Sequence, residues 1–124
     1  MTAITGYRDL DVWQKAMTLV ERCYRLSEKF PRSEEFGLRA QIRRAAVSIP
    51  SNIAEGQGRS STGEYVHHLA IAHGSLMELE TQVQIAGRLG FVVEKEVDLF
   101  LETGAEIGRM LNALRASLRA KARS

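Results

Sequence analysis

A chain of 124 residues has the length of one ordinary domain, and 44% hydrophobic with 26% charged residues excludes wholesale disorder. The 17 basic and 15 acidic side chains leave a formal charge of only +2, so bulk electrostatics alone does not mark a nucleic-acid binder. Aromatics and prolines are few, which demands a mostly aliphatic core. The single cysteine, Cys23, excludes an intramolecular disulfide and suits a reducing compartment. The N-terminus carries Asp9 and Asp11 and lacks an apolar signal core. No apolar run reaches membrane-spanning length. The expectation is a cytoplasmic protein without a membrane partner.

The first helix is announced by Trp13, Met17, Val20, Tyr24 and Ser27, with Ala16 and Cys23 beside them, in steps of three and four. Pro31 ends it, and Ser33 is the expected cap of a second helix opening on Glu34 and Glu35. Leu38, Ile42, Ala45, Ala46, Ile49 and Ile53 form the buried face of that helix. Pro50 removes a backbone donor inside it, which predicts a kinked helix, with a true break as the alternative. Gly56-Gln57-Gly58 ends the segment. Ser61 and Glu64 have capping-box spacing, and a seven-residue repeat from Tyr65 to Ala86 makes the third helix long. Gly90-Phe91 reads as its Schellman ending. A fourth helix carries Val97, Phe100, Gly104, Ile107, Leu111, Leu114 and Leu118, acidic at its start and basic at its end.

Short connections between long helices predict an all-α fold, an antiparallel up-and-down four-helix bundle kinked at Pro50. It occupies residues 1–124 as a single domain, with a short lead over 1–9 and a basic tail from about 119 to 124. Gly104 and Gly108 suggest close approach of another backbone, since each glycine costs about 1 kcal/mol within a helix. Val12, Leu19 and Leu26 form a second apolar row, one position behind the first. The row either broadens the core or serves as an oligomer interface, because a monomer rarely leaves such a stripe wet.

No catalytic constellation emerges. Glu64 and His67 have the Glu-x-x-His spacing of di-iron bundles, but neither His68 nor His73 supplies the second motif, so no metal and no cofactor is expected. Cys23 reads as an inert core thiol. Gly56-Gln57-Gly58-Arg59-Ser60-Ser61 could hold a phosphate before a helix N-terminus; alternatively its glycines end one helix and its serines cap the next. Arg43 and Arg44 have no acid three or four positions away, and Arg39, Arg43 and Arg44 are, with Arg59, the candidate contacts to RNA or DNA. Lys15, Arg22 and Lys29 recur every seven residues, with Arg25 beside them. From Arg109 onward five basic residues occur and no acidic one.

The strings Glu35-Phe36-Gly37-Leu38, Gln41-Ile42-Arg43-Arg44-Ala45-Ala46 and Ser48-Ile49-Pro50-Ser51-Asn52-Ile53-Ala54-Glu55-Gly56, followed by Ala72-His73-Gly74-Ser75-Leu76, have a specific wording. Over about Tyr7 to Phe91 the chain resembles the 23S rRNA-intervening-sequence protein family, also called four-helix bundle proteins. The resemblance implies a bundle that assembles as a ring, typically a homopentamer. The family is related to accessory proteins of diversity-generating retroelements, which bind nucleic acid and a reverse transcriptase. By that likeness Ser48, Pro50, Asn52, Glu55 and Gly56 are signature positions. Their expected role is structural, with Asn52 and Glu55 satisfying polar groups freed near Pro50. Five copies at +2 each would carry a formal +10, favouring multivalent capture of a polyanion. The function expected is a non-enzymatic oligomeric adaptor for nucleic acid, with a protein-only scaffold as the alternative.

Overall fold

Each stretch of three-and-four-spaced aliphatic residues forms a helix that buries one stripe. The computed structural model describes residues 6–123, in which these helices are α1 (Asp11–Ser27), α2 (Leu38–Gln57), α3 (Thr62–Arg88) and α4 (Glu94–Arg123). Every helix packs on its chain neighbour, and α4 closes against α1, giving the up-and-down bundle. The core is aliphatic as expected, centred on Leu19, Ile49, Leu69, Leu76, Ile107 and Leu111. The α2–α3 seam is the most extensive and the α1–α4 seam the sparsest. Of the expected N-terminal lead, residues 1–5 lie outside the described residues, as does Ser124. The expected basic tail is the last turns of α4, helical through Arg123.

The stripe of α1 is rotated from the expected one. Val12, Leu19 and Leu26 are buried with Ala16 and Cys23 within this one chain, Leu19 completely, so they are core and cannot form an oligomer interface. Trp13, Met17, Val20 and Tyr24 instead lie on the flank, with Met17 at 41% exposure. Both rows repeat at helical spacing, and only the direction of α2 and α4 selects the inner one.

The start of α2 also differs from expectation. Arg32–Glu34 form a short 3-10 helix, and α2 begins at Leu38 with Gly37 as its N-cap. Glu34 takes the capping role expected of Ser33: its Oε1 accepts the Leu38 N–H at 2.9 Å. A Cβ on Gly37 would sit 2.7 Å from that oxygen, which explains a glycine there. The helix runs unbroken through buried Pro50 to Gln57.

At the α3 start, the Ser61 hydroxyl accepts the Glu64 N–H at 3.1 Å and lies 3.3 Å from the Glu64 carboxylate. The α3 end is the Schellman arrangement the sequence announced. Gly90 takes a φ of 78°, the Phe91 N–H reaches the Ala86 carbonyl at 2.9 Å, and the Phe91 ring packs on Phe30. Gly104 does allow a close approach, but by a side chain: its Cβ would stand 2.6 Å from Glu80 Oε2. Gly108 sits at ordinary contact distance from Leu76, so the backbone approach expected there is absent.

Candidate functional site

The four candidate phosphate-binding arginines are not brought together. Arg39 donates to the Ser27 carbonyl at 3.0 Å and the Phe30 carbonyl at 2.8 Å. Arg43 donates to the Ser27 hydroxyl at 2.8 Å and the Tyr24 carbonyl at 3.3 Å, with its guanidinium 4.4 Å from the Tyr24 ring centroid. These two side chains add donors to oxygens at and just beyond the end of α1, and their charge suits the negative end of that helix. For Arg43, which has no acid at helical spacing, oxygens of α1 take the acceptor role. Arg44 points the other way, toward α3, and lines a polar cleft with Gln41, Ser48, Ser75 and Glu78. Arg59 pairs with Glu55 at 2.7 Å beyond the far end of α2.

The basic row on α1 is likewise occupied. Lys15 pairs with Glu106 at 2.6 Å, Arg22 donates to Thr103 Oγ1 at 2.8 Å, and Lys29 pairs with Glu96. Each rung crosses the sparse α1–α4 seam, so the seven-residue repeat of cations is a strap between helices. The Lys15 contact holds the Glu106 carboxyl below the usual range, by hydrogen bonding first and charge second. Arg25, paired loosely with Glu21 at 3.9 Å, leans over a cleft of about 280 Å³ floored by Leu26 and Phe100.

A further cationic surface is the second half of α4. Arg109, Arg119, Lys121 and Arg123 are exposed there, and Glu106 is the last acidic residue. Arg115 is half-buried beside them and donates to Asn112 Oδ1 at 3.3 Å.

The Gly56–Ser61 stretch is a helix connection. The amides of Gly58 and Arg59 are spent on the carbonyls of Ala54 and Gly56, and Ser61 caps α3. Three of the amides a phosphate could use there, those of Gly58, Arg59 and Glu64, are therefore already engaged.

The signature positions meet on the α2–α3 seam. Ser48, Asn52, Glu55 and Gly56 are spaced for one helix face. Asn52 Nδ2 donates to the Ser48 carbonyl at 2.9 Å and to its hydroxyl at 3.0 Å, and not to the Ala46 carbonyl that the missing Pro50 N–H leaves without its helical donor. The Asn52 Oδ1 faces His68 Nδ1 at 3.1 Å, and Ser48 Oγ lies 2.8 Å from Ser75 Oγ. Glu55 stands 4.0 Å from the same His68 nitrogen. Gly56 is buried where a Cβ would meet His68 Cβ at 2.8 Å and the Tyr65 carbonyl at 3.2 Å. His68 and Ser75 escaped sequence reasoning, although their seven-residue spacing beside the core positions Leu69 and Leu76 was available as a signal.

Cys23 is enclosed, its thiol 3.6 Å from the Ile42 carbonyl; burial pushes its pKa from 9.0 up to about 12, against a smaller opposing pull from Arg43. His67 meets His68 edge to face, and among the described residues no three His, Cys, Asp or Glu side chains converge as metal ligands. No helix among the described residues is long and apolar enough to cross a membrane. The flank row of α1 borders an open groove of about 570 Å³ against α2, lined by Trp13, Met17, Val20, Val47 and Pro50.

Residues 8–113 match the sequence profile of the 23S rRNA-intervening sequence protein family. The fold is similar to the 1.70 Å crystal structure of a protein with unknown function from the S23 ribosomal protein family of Bacteroides thetaiotaomicron VPI-5482. The TM-score is 0.78 at 23% identity, covering 84% of this chain and 97% of that one. No curated protein matches the chain.

Proposed function

We propose that this chain, which belongs to the 23S rRNA-intervening sequence protein family, is a non-enzymatic, self-associating adaptor that holds nucleic acid on cationic helix surfaces. The observation that carries this reading is the second half of α4, where exposed arginines continue for four turns without an acid. Of the arginines of α2, Arg39 and Arg43 support it little, because they are committed to the end of α1. A polyanion bound by several such surfaces in one assembly gains affinity from multivalency. The ring of five implied by the family resemblance would supply them. The buried lone thiol suits action in the reducing cytoplasm.

Fluorescence anisotropy of labelled single-stranded and duplex nucleic acids across a salt series tests the reading. Binding that weakens steeply with salt is the expected result. No binding to any of them at low salt would overturn it.

A protein-only scaffold is the second reading. The groove beside Trp13, Met17 and Val20 favours it, since an apolar cleft on a small bundle suits a protein surface.

A further inference from the structure

Resting on the nucleic-acid reading above, we propose that the outward face of α4 beyond Glu106 is a groove-entering surface for duplex DNA. At helical spacing, Arg109, Asn112, Ala116, Arg119 and Arg123 share the side opposite the buried Ile107 and Leu111, and all five are exposed. The chemistry of this face is restricted. Three guanidinium groups and one amide project from it, and the residues between them, Ala113, Ala116 and Ala120, are small. Cations suit phosphates, while small side chains let the helix backbone come close to base edges. An α-helix is about 10–12 Å across and the major groove of B-DNA about 12 Å wide, so such a face fits without widening the groove.

The bundle leaves room for this. The rungs Arg22 to Thr103 and Lys15 to Glu106 set α1 antiparallel to α4, so α4 runs on past the start of α1. The lead at Tyr7–Asp9 packs on α1 and α2 and makes no contact with α4. Among the described residues, therefore, only α3 flanks the last turns of α4. Arg109 and Arg123 stand about 21 Å apart along the axis, at 1.5 Å per residue. That span matches several successive phosphates along the groove.

Duplex RNA differs because its major groove is deep and narrow, so this helix could only lie across its phosphates. The experiment compares wild-type protein, the triple variant R109A/R119A/R123A and Ala116→Trp, on DNA and RNA duplexes of one mixed sequence, by anisotropy over a fourfold salt range. All substituted side chains are exposed, and unchanged helical circular dichroism checks the fold. If the three arginines each neutralise a phosphate, the salt slope falls by about 0.9 per contact. Over that range the variant then loses about 40-fold less affinity than wild type. The bulky Ala116→Trp should weaken DNA binding at least about tenfold, as the loss of close groove approach requires. DNA should be preferred to RNA in wild type.

Unchanged affinity and slope in the triple variant, with wild-type binding intact, would overturn the α4 assignment and leave the broader reading standing. Equal binding of DNA and RNA, or an unaffected Ala116→Trp, would overturn groove entry. Absence of binding by wild type to any nucleic acid overturns both.

Discussion

Gly56 and Gly74 allow the same chemical change to be placed where packing predicts opposite signs. A Cβ at Gly56 would meet the Cβ of His68 at 2.8 Å and both the carbonyl and ring edge of Tyr65 at 3.2 Å. Carbon atoms rest about 3.5–4.0 Å apart, so Gly56→Ala must part α2 from α3 by on the order of half an ångström or more. Overpacking of this kind costs about 1–3 kcal/mol. The better helix propensity of alanine returns at most about 1 kcal/mol, and less so close to a helix end. The separation also strains the 3.1 Å contact between Asn52 and His68. A net loss of about 1–2 kcal/mol is expected. Gly74 lies mid-way along α3, exposed, where an added Cβ meets nothing within 4 Å. Gly74→Ala should therefore stabilise by about 0.8–1 kcal/mol. Guanidinium unfolding followed by far-UV circular dichroism gives both values, at one fixed protein concentration because any self-association would couple stability to concentration. A Gly56→Ala protein as stable as Gly74→Ala would refute the close α2–α3 contact as the reason for glycine at position 56.

Leu19→Glu should unfold the chain, because the leucine is completely enclosed. Met17→Glu on the half-exposed flank should keep the helical signal and reduce the assembly mass measured by light scattering, if the α1–α2 groove receives a second copy. Arg39→Ala removes two charged hydrogen bonds to the end of α1 and should cost about 2 kcal/mol. The salt dependence of nucleic-acid binding should stay the same in that variant, since the side chain is turned inward. Cys23 should resist alkylation at pH 8 in the native protein and react at once in denaturant, as its burial requires. The same burial sets a pH dependence. The unfolded thiol ionises near 9.0 and the folded one near 12, so the stability this site contributes is complete below pH 9 and lost as pH rises toward 12. Wild type should lose stability more steeply over that window than Cys23→Ala, and parallel curves would remove the thiol from the account.

Helix number, order and most ends were legible because each rests on local chemistry. Ser61 needs only Glu64 three residues on, and Gly90 needs only its own left-handed φ and the following Phe91. The failures share a cause, which is that a helix sequence states its spacing but not its neighbours. Two apolar rows on α1 satisfy the same periodicity, and the choice of Val12, Leu19 and Leu26 as the inner row is made by the positions of α2 and α4. Ser33 scores as a cap on residue type, yet Glu34 reaches the Leu38 amide because Gly37 leaves space for its carboxylate.

The cations follow the same logic with a functional consequence. Arg43 lacks an acidic neighbour at helical spacing and Arg39 has only Glu35, so both read as available, but the α1–α2 turn brings them onto oxygens at and just beyond the end of α1. Lys15, Arg22 and Lys29 read as a surface row, but α4 offers Glu106, Thr103 and Glu96 at the matching heights. An arginine is available to a ligand only where no other helix end or carboxylate reaches it. On this bundle the outward face of the last turns of α4 meets that condition over several residues, because among the described residues only α3 flanks it. The search for a partner therefore starts at this stretch, where absence of acid in sequence coincides, among the described residues, with absence of a covering element on the outward side.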